Sequence, residues 1–342
     1  MMSGSVLLIL KIMKERIAHE MYRRLLASTN VLILPHQRPD GDAMGAATAL
    51  ASFLANHKIT HFIWCKTPPP PGLMFLPNAD LVRSDKELWE EKKFDTIVTV
   101  DSGDLVYNGS AEHIARLPYR PTIMNIDHHP TNQHFGDINL VIPTASSTNE
   151  ILYTFFLINH EPITTRMATS LMTGLVTDTG TFTNAATSQR ALSVGGELIR
   201  RGADFGLIKQ EVITDKSVAG LRLWGLVMNR LTLHESTGIV HTYVTHQDLT
   251  QFDATEEDAD GIANFLNFLE EGQAAMVLKA RADGTVKGSF RTTKNDVDVS
   301  AWAKLFGGGG HIKAAGFSVP GPIEHAIEFV LQSIEEKIKN PS

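Results

Sequence analysis

The sequence predicts an α/β protein with a doubly wound, mainly parallel sheet in its N-terminal domain and a smaller α+β C-terminal domain. Two observations support this fold class. Up to about residue 202, short apolar runs alternate with stretches of helical spacing, as in strands that are connected by helical crossovers. Beyond residue 229, successive strand patterns are separated by hairpin turns, which is typical of antiparallel pairing. A chain of 342 residues is long enough for both domains.

The change of pattern sets the predicted domain boundaries. We expect a first domain over residues 14–202, a helical connector over 203–228 and a second domain over 229–340. Residues 1–12 are either an extension ahead of the fold or the front of its first helix, with Met13 as an alternative start. The composition, 43% hydrophobic and 20% charged, predicts an ordinary globular core.

The strands of the first domain are predicted from apolar runs that are too short to be helices. They cover 31–34, 59–64, 94–100, 121–126 and 138–142. The helices are predicted from apolar residues at helical spacing. They cover 14–28, 43–56, 110–117, 147–160, 163–176 and 188–201. Four consecutive prolines make residues 67–72 a rigid surface loop.

Polar residues at the ends of these helices have ordinary capping explanations. Asp42 could cap the helix over 43–56, and Asp204 caps the helix that follows Gly202. Residues Ser147 to Glu150 have capping-box spacing, so they need no functional role.

The second part of the chain begins with a helical connector over 215–226 and continues with strand patterns. A turn over 235–238 joins two strands into a hairpin, and Asp283-Gly284 joins two others. The predicted strands cover 231–234, 239–245, 274–280, 286–291 and 314–319, and the predicted helices cover 256–270 and 323–338. Four glycines at 307–310 interrupt the pattern.

Charge and cysteine content restrict the function classes. The formal net charge of −7 argues against long duplex nucleic acid as a partner, but it allows a short oligonucleotide or a mononucleotide. A single cysteine, Cys65, excludes an internal disulfide framework and a cysteine-rich metal site. The sequence has neither a signal h-region nor a membrane span. We therefore expect a cytoplasmic protein without a membrane partner.

Acidic and imidazole side chains follow several of the predicted core elements. In open parallel sheets, ligands bind beyond the carboxyl ends of the strands. Taken singly, an Asp in such a place usually caps a helix or turn, and a buried His usually bonds a carbonyl. Taken together, clustered carboxylates would repel one another, and two divalent cations would neutralise them. The residues are His36, Asp40, Asp42, Asp101, Asp127, His128, His129 and Asp178.

These motifs, in this order, resemble those of the DHH phosphoesterase superfamily. The first is His36-Gln37-Arg38-Pro39-Asp40-Gly41-Asp42-Ala43, followed by Asp101, Asp127-His128-His129 and Asp178. The glycines 307–310, His311 and Ala314-Ala315-Gly316 resemble the DHHA1 domain of the same superfamily. The nearest likeness is to RecJ-like DHH-DHHA1 proteins of the nanoRNase/pAp phosphatase type. Two departures are Ala46, where many relatives have Ser, and Ile312-Lys313, where Pro or Lys-Asn is common.

The resemblance implies a site with two metal ions. One ion would be bound by His36 and Asp40 and the other by Asp42, His128 and Asp178, with Asp101 bridging them. Asp127 would orient an imidazole, and His129 would donate to a phosphate oxygen or to the leaving oxygen. Carboxylate and imidazole ligands without thiolate favour Mn²⁺, with Mg²⁺ as the other main candidate and zinc and iron left open.

The second domain would bind the phosphate of a substrate. Without Cβ atoms, the backbone N–H groups of Gly308, Gly309 and Gly310 could approach an anion closely, and His311 would add a donor. Arg291 could pair a second phosphate bidentately. Lys294 and Lys313 are weaker candidates. A flexible linker for the glycines and a plain surface position for Arg291 are the alternatives.

The resemblance implies a metal-dependent phosphoesterase that hydrolyses short RNA oligonucleotides (nanoRNA), 3′,5′-phosphoadenosine (pAp), or both. A hydroxide activated by two metals would attack phosphorus, and nucleoside monophosphate would be released. A cyclic-di-AMP or pApA phosphodiesterase and an exopolyphosphatase are alternative enzymes. A nucleotide-binding sensor on the same fold is the alternative without catalysis, but no proposed ligand is missing. The oligomeric state is left open, with a homodimer as one option.

Overall fold

The chain folds into two units, Met1–Asp215 and Lys216–Ser342. A computed structural model describes residues 4–213 and 217–339. Each unit is built on one six-stranded sheet. Within the described ranges, no helix combines the length and the apolar composition that a bilayer crossing requires.

The sheet of the first unit is parallel throughout, which agrees with the prediction of a mainly parallel sheet. Its strands are β1 (Asn30–Leu34), β2 (Thr60–Trp64), β3 (Val82–Arg83), β4 (Thr96–Val100), β5 (Thr122–Asp127) and β6 (Ile138–Val141). Their spatial order is β3-β2-β1-β4-β5-β6, so the chain reverses its direction of travel between β1 and β4. A crevice at the carboxyl ends of such a strand pair is the usual ligand site of this architecture.

Helices cover both faces of this sheet, which confirms the doubly wound prediction. They are α1 (Gly4–Ala27), α2 (Gly41–Asn56), α3 (Glu87–Glu91), α4 (Ala111–Ala115), α5 (Thr148–Ile158), α6 (Thr165–Asp178), α7 (Gln189–Arg200) and α8 (Phe205–Ile208). Val31 and Ile33 of β1 pack in a core with α1, α2, α5, α6 and α7. Leu32 and Leu34 of the same strand pack on the other face with Trp89 and with residues of β2 and β4. The alternation along β1 therefore buries both of its faces.

Two helices of the larger core, α2 and α6, approach each other unusually closely at glycines. A Cβ atom at Gly45 would lie 2.5 Å from the carbonyl oxygen of Ser170. A Cβ atom at Gly174 would lie 2.9 Å from Asp42 Oδ1 of α2, and it would also collide with the side-chain amide of Asn149 of α5. The absence of side chains at these two positions sets the spacing of the helices. It also sets the distance between Asp42, in the first turn of α2, and Asp178, the last residue of α6.

The second unit has a mixed sheet with helices on both faces. Its strands are β7 (Thr232–His234), β8 (Ile239–Val244), β9 (Ala274–Ala280), β10 (Thr285–Arg291), β11 (Gly309–His311) and β12 (Ala314–Pro320). Their order is β11-β12-β10-β9-β8-β7, and only the β8–β9 pair is parallel. The helices are α9 (Val218–Asn229), α10 (His246–Phe252), α11 (Ile262–Phe265), α12 (Val299–Lys304) and α13 (Ile323–Lys339). One core lies between the sheet and α12 and α13, and the other lies under α9, α10 and α11.

Some predictions of individual elements were wrong. The predicted helix over 256–270 is broken, because Asp260 is extended and Gly261 has a φ of +86°. Only the short α11 and two turns of 3₁₀-helix remain there. The glycine run does not interrupt the fold, since its second half forms β11 at the edge of the sheet. The first helix begins at Gly4, in agreement with the second alternative for the N-terminal residues, of which 1–3 lie outside the described ranges.

Candidate metal centre

The carboxyl ends of three neighbouring strands deliver the first group of polar side chains. His36 follows β1, Asp101 follows β4, and β5 ends in Asp127 and continues into His128 and His129. The β1 and β4 strands are the pair at which the strand order reverses. The sequence motif therefore lies at the edge of the sheet where ligand sites of doubly wound proteins are found.

Asp40, not Asp42, caps helix α2. The Oδ1 atom of Asp40 accepts hydrogen bonds from the backbone N–H groups of Asp42 at 3.0 Å and Ala43 at 3.1 Å. The alternative that gave Asp42 this role is therefore wrong. Asp42 is instead fully buried. Its Oδ2 accepts the N–H of Thr148 at 2.8 Å, and its Oδ1 accepts the side-chain amide of Asn149 at 2.7 Å.

Asp101 has a backbone conformation that aims its carboxylate into the centre of the cluster. Its φ of +55° lies in the left-handed region, which Asp tolerates better than most residues. Its N–H still donates to the carbonyl of Ile126 at 3.0 Å, so the turn is attached to β5. The carboxylate is 2% exposed and lies 3.5 Å from His36 Nε2 and 3.6 Å from His128 Nε2.

All six residues that were predicted as metal ligands lie close together. Within each of three groups, the potential ligand atoms lie within 4.8 Å of one another. Two of the groups share Asp101, and two share His128. The groups are His36, Asp40 and Asp101; Asp42, His128 and Asp178; and Asp101, His128 and His129. Carboxylate and imidazole ligands at such separations fit divalent cations, because each ion takes several oxygen or nitrogen ligands from one small volume.

The protonation equilibria of these groups reflect the crowding of negative charge. Burial raises the pKa of Asp42 well above its usual range, and the carboxylate of Asp101 adds to this effect. Burial and then Asp42 raise the pKa of Asp178 in the same way. Burial opposes the charged form of His36, yet the carboxylates of Asp101 and Asp40 raise its pKa to about 12. In the protein without cations, protons therefore take up part of the charge that metal ions would neutralise.

His129 is oriented by the neighbouring Asp127. The Oδ1 atom of Asp127 lies 2.8 Å from His129 Nδ1, and its Oδ2 accepts the side-chain amide of Asn132 at 2.6 Å. Asp127 itself is fully buried. Burial opposes protonation of His129, but Asp127 and Asp101 raise the pKa of His129 to about 9. Asp127 therefore positions His129, while the ring of His128 lies 3.2 Å from the carboxylate of Asp178.

Sequence analysis assigned no role to three polar residues that bond members of this cluster. Thr148 donates its hydroxyl to Asp101 Oδ1 at 3.0 Å, Asn149 bonds both backbone and side-chain oxygens of Asp42, and Asn132 supports Asp127. Residues 147–150 were interpreted as capping residues alone, but Thr148 and Asn149 also bond two of the ligand candidates. One signal in the sequence was that polar residues begin α5, a helix whose first turn is buried when helices cover both faces of the sheet. Buried polar residues need hydrogen-bond partners. Neither their partners nor the distance along the chain to those partners could be deduced from that signal.

The predicted capping box at the start of α5 is only half formed. The hydroxyl of Ser147 accepts the N–H of Glu150 at 3.1 Å, as expected. The carboxylate of Glu150 accepts the N–H of Ser146 instead of that of Ser147, and it pairs with Arg190 at 3.0 Å.

In the second unit, the guanidinium group of Arg291 bonds two neutral oxygens. Its Nε donates to Asn264 Oδ1 and its Nη1 to the carbonyl of Phe290, each at 2.8 Å. Among the described residues, no carboxylate pairs with it. Burial lowers the pKa of Arg291. In the sheet register, Arg291 lies opposite Ala314, which in turn lies opposite His311. Directly opposed residues share a face, so the small side chain of Ala314 lies between the positions of Arg291 and His311.

The glycine run is explained in part by packing against β12. A Cβ atom at Gly308 would collide with the backbone of Gly316, and Gly310 has a φ of +142°. The N–H of Gly308 already donates to the carbonyl of Ala303 at 3.0 Å, which speaks against its predicted contact with an anion. A Cβ atom at Gly309 would meet nothing within 4 Å. The amino groups of the two weaker candidates, Lys294 and Lys313, donate to backbone carbonyl groups.

Comparison with protein families gives two matches along the chain. The N-terminal domain of the DHH family matches residues 30–175, and the DHHA1 domain matches residues 236–340. The first match contains every ligand candidate except Asp178, and the second contains Arg291 and the glycine run.

Individual relatives cover almost the whole chain. A bifunctional oligoribonuclease and PAP phosphatase, NrnA, of Thermus thermophilus is 30% identical over 317 residues, which are 90% of each chain. The protein of the same name in Bacillus subtilis is 28% identical over 88% of this chain and 92% of its own. The cyclic-di-AMP phosphodiesterase GdpP of Geobacillus thermodenitrificans is 27% identical over 87% of this chain but only 46% of its own.

A solved structure of an exopolyphosphatase-related protein from Bacteroides fragilis superposes with a TM-score of 0.85. It covers 95% of this chain and 97% of its own, at 24% sequence identity. This similarity supports the two-sheet fold.

Proposed function

Because the chain belongs to the DHH family and carries a DHHA1 domain, we propose that it is a metal-dependent phosphoesterase. Its substrates are very short RNA oligomers, pAp, or both, and it releases nucleoside monophosphate. The two relatives that carry both activities in their names support this choice of substrate, since each covers about nine tenths of the chain. Residues 14–202 carry the catalytic site in this proposal, and residues 229–340 bind the substrate.

The proposal depends most on the convergence of six side chains at one edge of the sheet. Their ligand atoms form overlapping groups within 4.8 Å, and four of the six are carboxylates. His36 and Asp40 would hold one ion, and Asp42, His128 and Asp178 would hold the other, with Asp101 within reach of both groups. Mn²⁺ is our preferred ion because the ligands combine carboxylate with imidazole. When bound, the ions supply an activated hydroxide and neutralise the charge that develops on the phosphate.

The protein's own side chains have three tasks around those ions. Thr148 and Asn149 fix the orientation of Asp101 and Asp42 through the hydrogen bonds described above. Asp127 holds the His129 ring through Nδ1. The Nε2 atom of that ring is then the one that donates to a phosphate oxygen or to the leaving oxygen. This donor stabilises negative charge where it increases during the reaction.

A second phosphate of the substrate is bound by the second unit. Arg291, Gly309 and His311 are the residues that we propose for this contact. A guanidinium group without a carboxylate partner is well suited to a phosphate, which accepts two parallel N–H bonds. The small Ala314 lies between Arg291 and His311 on one face of the sheet, so both side chains have room to reach the same anion.

A cyclic-di-AMP or pApA phosphodiesterase is the second candidate. It is favoured by the GdpP relative, which matches 87% of this chain. The chain spans less than half of that relative, so the first candidate is better supported. A nucleotide sensor without catalysis would have no need to preserve all six ligands in one cluster.

One panel of substrates separates these candidates. Purified protein is incubated with pAp, pApA, di- to pentaribonucleotides, cyclic-di-AMP and polyphosphate, each with Mn²⁺ and with excess chelator. We expect hydrolysis of pAp and the short oligomers that is lost with chelator and in Asp101→Ala. Asp80→Ala, which removes an exposed carboxylate outside the cluster, is the matched control. Activity that persists after chelation or in Asp101→Ala refutes the mechanism, and preference for cyclic-di-AMP selects the second candidate.

A further inference from the structure

Tyr107 is an exposed aromatic side chain beside the candidate metal centre. It is 50% exposed, and the preceding Val106 is 76% exposed. The centroid of the Tyr107 ring lies 5.5 Å from that of His36, with an angle of 39° between the ring planes. His36 Nε2 in turn lies 3.5 Å from Asp101 Oδ2. The flat apolar ring of Tyr107 is therefore separated from the carboxylate of Asp101 only by the ring of His36.

The loop that carries Tyr107 is fixed by hydrogen bonds on both sides of it. The N–H of Tyr107 donates to Asp104 Oδ1 at 2.7 Å. The next residue, Asn108, is buried, and its Oδ1 accepts the N–H of Ser110 at 2.9 Å and the hydroxyl at 2.6 Å. Single exposed apolar residues are common and need no explanation. Here two adjacent apolar residues are exposed on a fixed loop, and the aromatic ring of one of them packs against His36 of the polar cluster. Their exposure therefore needs an explanation.

We infer that Tyr107 is the platform on which a nucleobase of the substrate stacks, with Val106 extending the apolar surface. This inference rests on the proposed function and identifies the part of the substrate that the proposed phosphate contacts leave unrecognised. Stacking on an aromatic ring tolerates any base, because every base presents a π face. It would let the site distinguish a nucleotide from inorganic phosphate chains without selecting a sequence. The ring is tilted against His36 and half exposed, so the base stacks on its exposed side.

The test combines removal of the ring with removal of the base. Steady-state kinetics with Mn²⁺ compare pAp with its abasic analogue, ribose 3,5-bisphosphate, in the wild type and in Tyr107→Ser. Tyr107→Phe keeps the ring without the hydroxyl. Leu26→Ser removes an exposed apolar side chain of α1 that is 40% exposed, and it serves as the matched control. Affinity for Mn²⁺ is measured for each protein by calorimetry.

We expect Tyr107→Ser to raise KM for pAp about tenfold or more, with kcat and Mn²⁺ affinity little changed. Tyr107→Phe and Leu26→Ser should behave as the wild type. For the abasic analogue, the wild type should already have the high KM, and Tyr107→Ser should not raise it further. Equal losses on both compounds, or a fall in Mn²⁺ affinity, would mean that the ring only supports His36 and would overturn the inference.

Hydrolysis by the wild type alone tests the proposed function, separately from the effect of Tyr107→Ser. If the wild type hydrolyses neither pAp nor short oligomers, the proposed function is wrong and this inference is refuted with it. If the wild type hydrolyses them and Tyr107→Ser has an unchanged KM for pAp, the inference alone is refuted.

Discussion

Replacement of Asp178 by Asn should change the stability of the protein in opposite directions with and without metal ions. Asp178 is the last residue of α6, where the negative end of the helix dipole disfavours a carboxylate. Burial and the neighbouring Asp42 raise the pKa of Asp178. A carboxyl group whose pKa is raised by folding destabilises the metal-free protein as the pH rises through that folded-state pKa. Asn has a similar shape and no charge, so it removes this cost.

The size of the effect can be worked from the geometry. Oxygen atoms of Asp42 and Asp178 lie within 4.8 Å of each other, a separation at which two unit charges repel by about 3 kcal/mol at an effective dielectric constant of ~20. The His128 ring, 3.2 Å from Asp178, offsets part of this. Because Asp178 is partly exposed, solvent screens another part. We expect Asp178→Asn to be more stable than the wild type by about 1–2 kcal/mol without metal, or about 2–8 °C in the melting temperature of the first unit.

Excess Mn²⁺ should reverse the order of the two proteins. An ion present at about a hundred times its dissociation constant stabilises the folded state by ~2.7 kcal/mol. The variant lacks one ligand and should gain much less than the wild type. Calorimetric melting in EDTA measures the stability difference between the metal-free proteins, and melting in MnCl₂ measures the stability that each gains from the ion. Asp80→Asn is the control for a lost surface charge. In EDTA, raising the pH from 5 to 8 should destabilise the wild type more than Asp178→Asn.

Two results would refute this reasoning. If Asp178→Asn melts below the wild type in EDTA, attraction to His128 outweighs the carboxylate repulsion. If the variant and the wild type gain the same stability from Mn²⁺, Asp178 is not a ligand.

Three further substitutions test the groups behind the ligands. Asp127→Asn removes the carboxylate that holds the His129 ring at 2.8 Å, so kcat should fall about 10–100-fold. The metal content, measured by mass spectrometry, should not change. Loss of metal from the variant would contradict this prediction. Thr148→Val removes the hydroxyl that lies 3.0 Å from Asp101, so calorimetry should show about tenfold weaker Mn²⁺ binding. Thr148→Ser retains a hydroxyl and should bind Mn²⁺ as the wild type does. Equal affinities of Thr148→Val and the wild type would show that this hydrogen bond does not support the metal site. Gly174→Ala drives a methyl group into the side-chain amide behind it and should lower the free energy of unfolding in urea by about 1–3 kcal/mol. Gly196→Ala on α7, where a Cβ atom meets nothing within 4 Å, should not.

The sequence was sufficient to predict five of the six strands of the first unit, all except the two-residue β3, and the ligand candidates of the cluster. Apolar runs such as 31–34 and 94–100 are short and bounded by polar residues, and parallel strands bring their carboxyl ends to one edge. The positions of His36 and Asp101 follow from that rule. Which of Asp40 and Asp42 caps α2 could not be predicted, because it depends on the backbone angles at the residue before the helix.

Other features depend on contacts between distant parts of the chain. Thr148 and Asn149 follow a good capping residue, and only the packing of α5 against α2 shows that they bond Asp42 and Asp101. The break at Gly261 could not be predicted for a different reason. The apolar residues on either side of it fit a continuous helix equally well, and a positive φ at one glycine decided the outcome.

The ligand candidates begin after β1 and end with α6, so they span most of the first unit, and this has a consequence for folding. No short segment of the chain carries enough of them to chelate an ion, and the cluster exists only when β1, β4, β5 and α6 have all docked. The cluster therefore depends on contacts between residues far apart in the sequence, and such contacts are slow to form. Any ion that binds there would join distant segments of the unit, so it would stabilise the completed unit against global unfolding more than any one segment against local opening.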